Sequence, residues 1–214
     1  MSDAAASGPA SDVAAVAVER LWLDRLYELG RPLAHEVRNA LNGVAVNLEV
    51  VRSRARGDAP ASAVARFAES AGEQLDALAE LTEALLTLVR PVAEPADLGA
   101  VLARLATILA AVARPEGGTV TLRVLPDGAA VRTAVPGEAL RAIAAGALLD
   151  AFDRAGTLSC ELDGTAAPTL RLRRVDGPPL PELSADLRAL AERWEVRCGG
   201  DPAAWSFVFP PPTG

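Results

Sequence analysis

Apolar residues recur at steps of three and four between residues 12 and 56, at Leu26, Leu29, Leu33, Val37, Leu41, Val44, Leu48 and Val51, and this spacing predicts one long amphipathic helix. Gly57, Asp58 and Pro60 then supply a stop, a cap and a helix-start proline. A second helix follows, with Val64, Phe67, Ala71, Leu75, Leu78, Leu85 and Val89 on one stripe, until Arg90-Pro91 ends it. The two make a hairpin with one apolar stripe per helix and no third helix adjacent in the chain to cover both. The pattern therefore predicts a homodimer that closes a four-helix bundle. Pro32 lacks the amide proton that would bond the carbonyl of Glu28, and Gly30 stands beside it, so a kink or short break is expected just before residue 35.

After "PVAEPAD" the elements shorten. Residues 97–113 read as helix, "TVTLRVL" and "AAVRTAV" as two strands across an Asp-Gly turn, and residues 136–154 as a helix opened by Pro136. "TLSCEL" and "TLRLRRV" make another strand pair around "DGTAAP", residues 183–193 are helix, and "EVRC" with "WSFVFP" closes the sheet. That order predicts an α+β sandwich with a mostly antiparallel sheet. The chain thus divides into a small-residue tail over 1–11 that is expected to be disordered, a helical hairpin over 12–90 and an α+β domain over 91–214. It has no internal repeat, and its one low-complexity run is the terminal "PPPTG".

Composition agrees with two small domains: 214 residues suffice for two cores. Half the residues are hydrophobic but only 4% aromatic, so those cores come from Leu, Val and Ala, which favours helices packed at close range. All 21 basic residues are arginine and alanine is abundant, the mark of a GC-rich bacterial genome. A formal charge of -7 leaves no basic footprint for nucleic acid or an anionic membrane. No cationic-then-apolar leader is present and no run has bilayer-crossing length, so a soluble cytoplasmic protein is expected. Cys160 and Cys198 belong to no CxxC pair and are expected as ordinary core or strand residues, with no metal site and no disulfide.

The single histidine, His35, is followed at once by Glu36 and one helical turn later by Asn39. With Leu33 set at zero on an ideal helix of about 100° per residue, the core stripe clusters near about 20° and His35 falls near about 200°, directly away from it. Arg31, Arg38, Asn39 and Asn42 lie on the same exposed arc, which is either a solvated polar face or a site. Neutral exposed imidazole is a competent nucleophile toward phosphorus. A neighbouring carboxylate can orient the ring or accept its proton, and an amide one turn away can hold a water or a phosphoryl oxygen. Two arginines lower the cost of an incoming anion. No second histidine, cysteine triad or acidic pair accompanies His35, which leaves metal ligation and a hydrolase triad without support.

"LAHEVRNALNGV" resembles the H-box of bacterial histidine kinases, where His-Glu-x-x-Asn or His-Glu-x-x-Thr before a hydrophobic helix marks the dimerisation and phosphotransfer domain; Ala40 stands where proline is usual. The element order, down to the terminal "FVFP", extends the resemblance from about residue 12 to 210. It implies that the α+β domain is a Bergerat-type ATPase fold, but one with degenerate motifs. "LRAIAAGALLDAFDRAG" resembles the asparagine box with Gly146 and Asp150 in place of the two asparagines, the second of which would hold magnesium. "VDGPPLPEL" keeps Asp176 and Gly177 of an Asp-x-Gly-x-Gly turn but sets Pro178 and Pro179 where flexible glycine belongs. No room remains for a phosphate-covering lid, and the chain has no lysine to substitute for its amides.

The resemblance thus implies a histidine phosphotransferase of a bacterial two-component phosphorelay, not an ATP-dependent kinase. His35 would be the phosphoacceptor, Glu36 its orienting or proton-accepting group and Asn39 a polar partner in transfer or dephosphorylation, while Arg31, Arg38 and Asn42 would contact phosphate or receiver. No cofactor is expected on this chain; Mg2+ is expected on the partner receiver domain. The implied partners are response-regulator receiver domains, an upstream hybrid histidine kinase and a second copy of the chain. Two rival readings stand beside it: a non-catalytic dimeric adaptor, and a phosphatase acting on a response regulator.

Overall fold

The computed structural model describes residues 9–212 apart from 58, 59, 93, 127 and 166. Helix α1 runs Pro9–Ala55 and α2 Ala61–Val89. Residues 9–11, expected in the tail, belong to α1; residues 1–8 and the cap candidate Asp58 lie outside the described residues. No break occurs at Pro32. The helix continues through Pro32, and Leu29 and Leu33, on either side of the missing bond, are buried in the same core at 3% and 5% exposure. Pro60 is the N-cap of α2 in extended conformation (φ -63, ψ 143) and not its first helical residue. Arg90 is extended too (φ -75, ψ 149), as the ring of the following Pro91 requires.

Leu29, Leu33 and Val44 of α1 and Ala71, Leu81, Ala84 and Leu88 of α2 are the buried residues of the hairpin's middle and base. One stretch of its interface is polar. A Cβ on Gly43 would fall 2.7 Å from Gln74 Oε1, so the glycine lets the Gln74 amide lie against α1. Asn47 Nδ2 donates to Ser70 Oγ and to Gln74 Oε1, each at 3.3 Å. Part of the hairpin's apolar surface is left open: Leu23, Tyr27, Leu41 and Leu48 of α1 and Leu75, Leu86 and Val89 of α2 are exposed.

The second half contains α3 (Leu98–Ala113), a 3-10 turn (Arg114–Glu116), β1 (Thr119–Leu125), α4 (Gly137–Ala151), β2 (Thr157–Asp163), β3 (Thr169–Arg174), α5 (Ala185–Arg193), β4 (Arg197–Asp201) and β5 (Ala204–Val208). Helix α3 starts where the Asp97 side chain accepts from the amides of Gly99 at 2.9 Å and Ala100 at 3.3 Å. The strands form one sheet in the order β1-β2-β3-β5-β4. Strand β1 pairs parallel with β2, Thr119 opposite Thr157, and every other pairing is antiparallel. Gly118 makes that first pairing possible, because a Cβ there would sit 2.0 Å from the carbonyl oxygen of Arg154.

"AAVRTAV", expected as the hairpin partner of β1, is not a strand; its one ladder contact is an isolated bridge between Arg132 and Asp97. Its backbone is satisfied elsewhere: Leu98 N donates to Val131 O, Ala134 N to Pro210 O, and Val131 N to the Asp97 carboxylate. Strand β1 takes β2 as its neighbour instead, and the pair is parallel because α4 crosses between them.

Leu158, Cys160, Leu162, Leu170, Leu172, Trp205 and Phe207 make one face of the sheet apolar and fully buried with the helices. The opposite face is polar, with Glu161 and Arg171 paired across β2 and β3 at 3.1 Å. Hairpin and sheet domain share a continuous core: Val18, Leu21, Trp22, Leu29 and Leu33 of α1 and Leu88 of α2 join Leu105, Ile108, Leu140 and Ile143 of α3 and α4. Arg141 locks this junction. It is 6% exposed, donates to the carbonyls of Leu88 at 2.5 Å and Arg90 at 2.9 Å, pairs with Glu138, and stacks on Trp22 at 4.4 Å. Among the described residues no helix is long and apolar enough to cross a membrane.

Candidate functional site

His35 stands on the solvent side of α1 in an unbroken stretch of helix, and Arg31, Arg38, Asn39 and Asn42 are exposed beside it. Their exposure follows from the helical repeat, since Leu33 and Val44 turn the opposite side of α1 into the core. Among the described residues, His35, Arg31, Arg38 and Asn42 have no hydrogen-bond or ion-pair partner, so the ring and the guanidinium groups are open to an incoming molecule. Glu36 is half-buried. Its Oε1 accepts from Asn39 Nδ2 at 3.5 Å, a long contact that turns the carboxylate toward the amide one turn on and not toward the His35 ring.

Glu36 and Asn39 open into a cleft of about 290 Å³ between the hairpin and α3, whose other polar walls are Gln74, Glu80, Thr107 and Arg114. An apolar groove of about 490 Å³ flanks the other side of the arc and is walled by Leu26, Leu33, Val37, Leu41 and Leu85. Gln74 and Arg114 are site residues the sequence reading did not single out. They reach Glu36 and Asn39 only through tertiary packing, and the one local signal is the position of Arg114 just after the apolar run of α3.

The positions that the kinase resemblance assigns to nucleotide binding have internal partners. Asp150 Oδ1 forms an ion pair with Arg25 Nη2 at 2.7 Å, and both side chains are only 12% exposed. Arg25 Nη1 also holds Glu28 at 2.9 Å. Gly146 abuts α5, so that a Cβ there would lie 3.0 Å from Leu187 Cδ1, and Leu187 is fully buried. The Asp176 carboxylate accepts from the backbone amide of Thr157 and from its hydroxyl at 3.2 Å, which caps β2. Gly177 takes the left-handed conformation (φ 90). The carbonyls of Pro178 and Pro179 accept from Arg174 Nη1 at 2.7 and 3.0 Å, and Arg174 Nη2 donates to Ala151 O at 2.7 Å. Only residues 175–184 join β3 to α5.

Among the described residues no three His, Cys, Asp or Glu side chains come together as a metal-binding cluster. Both cysteines are free thiols. Burial pushes the Cys160 thiol up to about 12, and burial likewise raises that of Cys198, so neither is an activated nucleophile.

No protein-family model matches the chain, and no curated protein matches it. Among solved structures it is similar to the Acinetobacter baumannii histidine kinase AdeS, at 11% identity over 84% of this chain and 98% of that one, with a TM-score of 0.45. It is similar to a bacterial phosphotransferase at 17% identity over 87% of this chain and 95% of that one, with a TM-score of 0.44. A blue-light activated histidine kinase of Erythrobacter litoralis gives 16% identity over 82% of this chain, with a TM-score of 0.42. The chain spans 62% of the length of that kinase.

Proposed function

We propose that this chain carries phosphoryl groups between receiver-domain aspartates through His35, in a two-component phosphorelay, and does so without ATP. The observation that carries the reading is the exposed, partnerless imidazole of His35 on a rigid helix, with two free arginines on the same arc. In the forward step one ring nitrogen forms a bond to phosphorus as the bond from phosphorus to the acyl oxygen of the aspartyl phosphate breaks. The aspartate leaves as carboxylate, and the proton on the second ring nitrogen becomes acidic and passes to water or, once its side chain turns away from Asn39, to Glu36. Arg31 and Arg38 lie on the arc where the transferring group carries its negative charge. Transfer onward is the reverse of these events at a second receiver, whose own Mg2+ serves the aspartate. A second copy of the chain packs on the open apolar faces of the hairpin.

Absence of ATP chemistry is supported by where the side chains are. Arg25 takes the carboxylate of Asp150, Leu187 fills the space over Gly146, and Thr157 takes Asp176. A second reading, a phosphatase acting on the receiver, is favoured by one contact: Glu36 and Asn39 engage each other in the cleft, where the pair would hold a water.

The deciding experiment mixes the chain with a panel of receiver domains loaded from acetyl phosphate and magnesium. Acid-labile, base-stable label is expected on the parent and none on His35→Ala, whose stability should lie within about 0.5 kcal/mol of the parent because the residue is exposed. Equal labelling of both proteins overturns the transfer role.

A further inference from the structure

We propose that the sheet domain supplies a partner-docking residue to the phosphotransfer site, and that this residue is Arg114, which fits an acidic protein face bearing an aspartyl phosphate. The inference rests on the phosphotransfer reading of His35 and extends its site beyond the hairpin. Arg114 ends α3 and lines the same cleft as Glu36 and Asn39, from the opposite wall. Its residue is exposed, and among the described residues its side chain has no hydrogen-bond or ion-pair partner. A partner docked over His35 and the neighbouring cleft of Glu36 and Asn39 would meet Arg31 and Arg38 along α1 and Arg114 on the far wall of that cleft.

The charge balance explains why a second source of cations matters. The chain carries a formal charge of -7, and the cleft itself contains Glu36 and Glu80, which repel an acidic partner. Arg114 offsets that repulsion at the one place where the receiver would have to approach. The packing of the junction sets its placement. The Arg25 to Asp150 ion pair and the Arg141 contacts with Trp22, Leu88 and Arg90 hold the sheet domain against the hairpin. Leu105 and Ile108 of α3 lie in the same core as Leu33 and Leu88. A guanidinium at the end of a helix also suits the helix dipole, but that role concerns folding stability and leaves partner binding untouched, so the two are separable.

The test uses the full chain with His35 phosphorylated chemically by phosphoramidate, a small donor that needs no docking surface. Because His35 is the only histidine, its label is unambiguous. Transfer to a receiver domain that accepts label from the parent is then followed against receiver concentration. Arg114→Ala should raise the half-saturating concentration roughly tenfold at low salt with the limiting rate unchanged. Arg114→Lys should recover most of the loss, and high salt should bring the parent toward the variant. Chemical labelling of Arg114→Ala should match the parent, and its unfolding midpoint should fall only slightly, by what one exposed helix-end cation contributes. An unchanged half-saturation, or a fall confined to the limiting rate, overturns the docking role of Arg114 while leaving His35 in place. If the parent, labelled at His35, transfers to no receiver, the phosphotransfer reading falls and takes this inference with it.

Discussion

Asp150 is a carboxylate that α4 buries against α1, where it is held by a cation of the chain itself. A residue at this position in the kinase pattern holds magnesium; here the cation is Arg25, at 2.7 Å. Burying two charges is costly unless each answers the other, and removing one partner leaves the second uncompensated. Asp150→Asn restores the residue type of the pattern, yet it should lower stability by roughly 2 to 3 kcal/mol, because Arg25 would keep only the more exposed Glu28. Urea unfolding of the variant measures this, and Asp150→Asn combined with Arg25→Met should recover most of the loss. A single variant as stable as the parent would show that the pair contributes nothing to the junction. Sequence alone could not reveal this role, since residues 25 and 150 come together only when α1 lies along α4. His35 was legible for the opposite reason: its direction depends on nothing beyond the repeat of the helix that carries it.

At the level of elements, helical periodicity located both helices of the hairpin, because apolar residues at three and four steps must face a core wherever that core lies. The segment 131–135 shows where pattern stops. Val131, Thr133 and Val135 are buried and the residues between them exposed, a true alternation of period two. Alternation records a half-buried surface and not a ladder, and the ladder positions beside β1 belong to β2. Partial burial is also the clue on the hairpin. Leu41 and Leu48 lie on the apolar stripe of α1 but are 50% and 51% exposed, so α2 and the sheet domain cover only part of it. A second hairpin would cover the remainder. Leu48→Arg should therefore convert a dimer to a monomer in light scattering at micromolar concentration, since the interface would have to bury an unpaired cation. Its helical circular dichroism should persist because the position is half in water within one chain. A parent that is itself a stable monomer would refute the bundle.

Across the whole molecule, the hairpin and the sheet domain share one core, and the proposal that the chain works without ATP rests on that packing. Helix α1 covers α4 with the Trp22 to Arg141 stack and the Arg25 to Asp150 pair. Helix α5 then closes over Gly146 through Leu187. Under the proposed function, the Arg25 pair and Leu187 take up the two positions, Asp150 and Gly146, that the resemblance assigns to nucleotide binding. Several lost contacts of about 1 to 3 kcal/mol each amount to orders of magnitude in affinity, even without full additivity. Isothermal titration with magnesium-ATP should be flat at millimolar ligand, and labelled ATP alone should leave His35 unmodified. Restoring asparagine at 146 should not rescue binding, because the new side chain would have to displace Leu187 from a fully buried position, and overpacking of that kind costs about 1 to 3 kcal/mol. Saturable micromolar binding to the parent would mean that the junction opens, exposing Asp150 to a metal ion in place of Arg25. His35 would then be fed from within the chain and not from a partner, and the phosphorelay assignment would give way to a kinase.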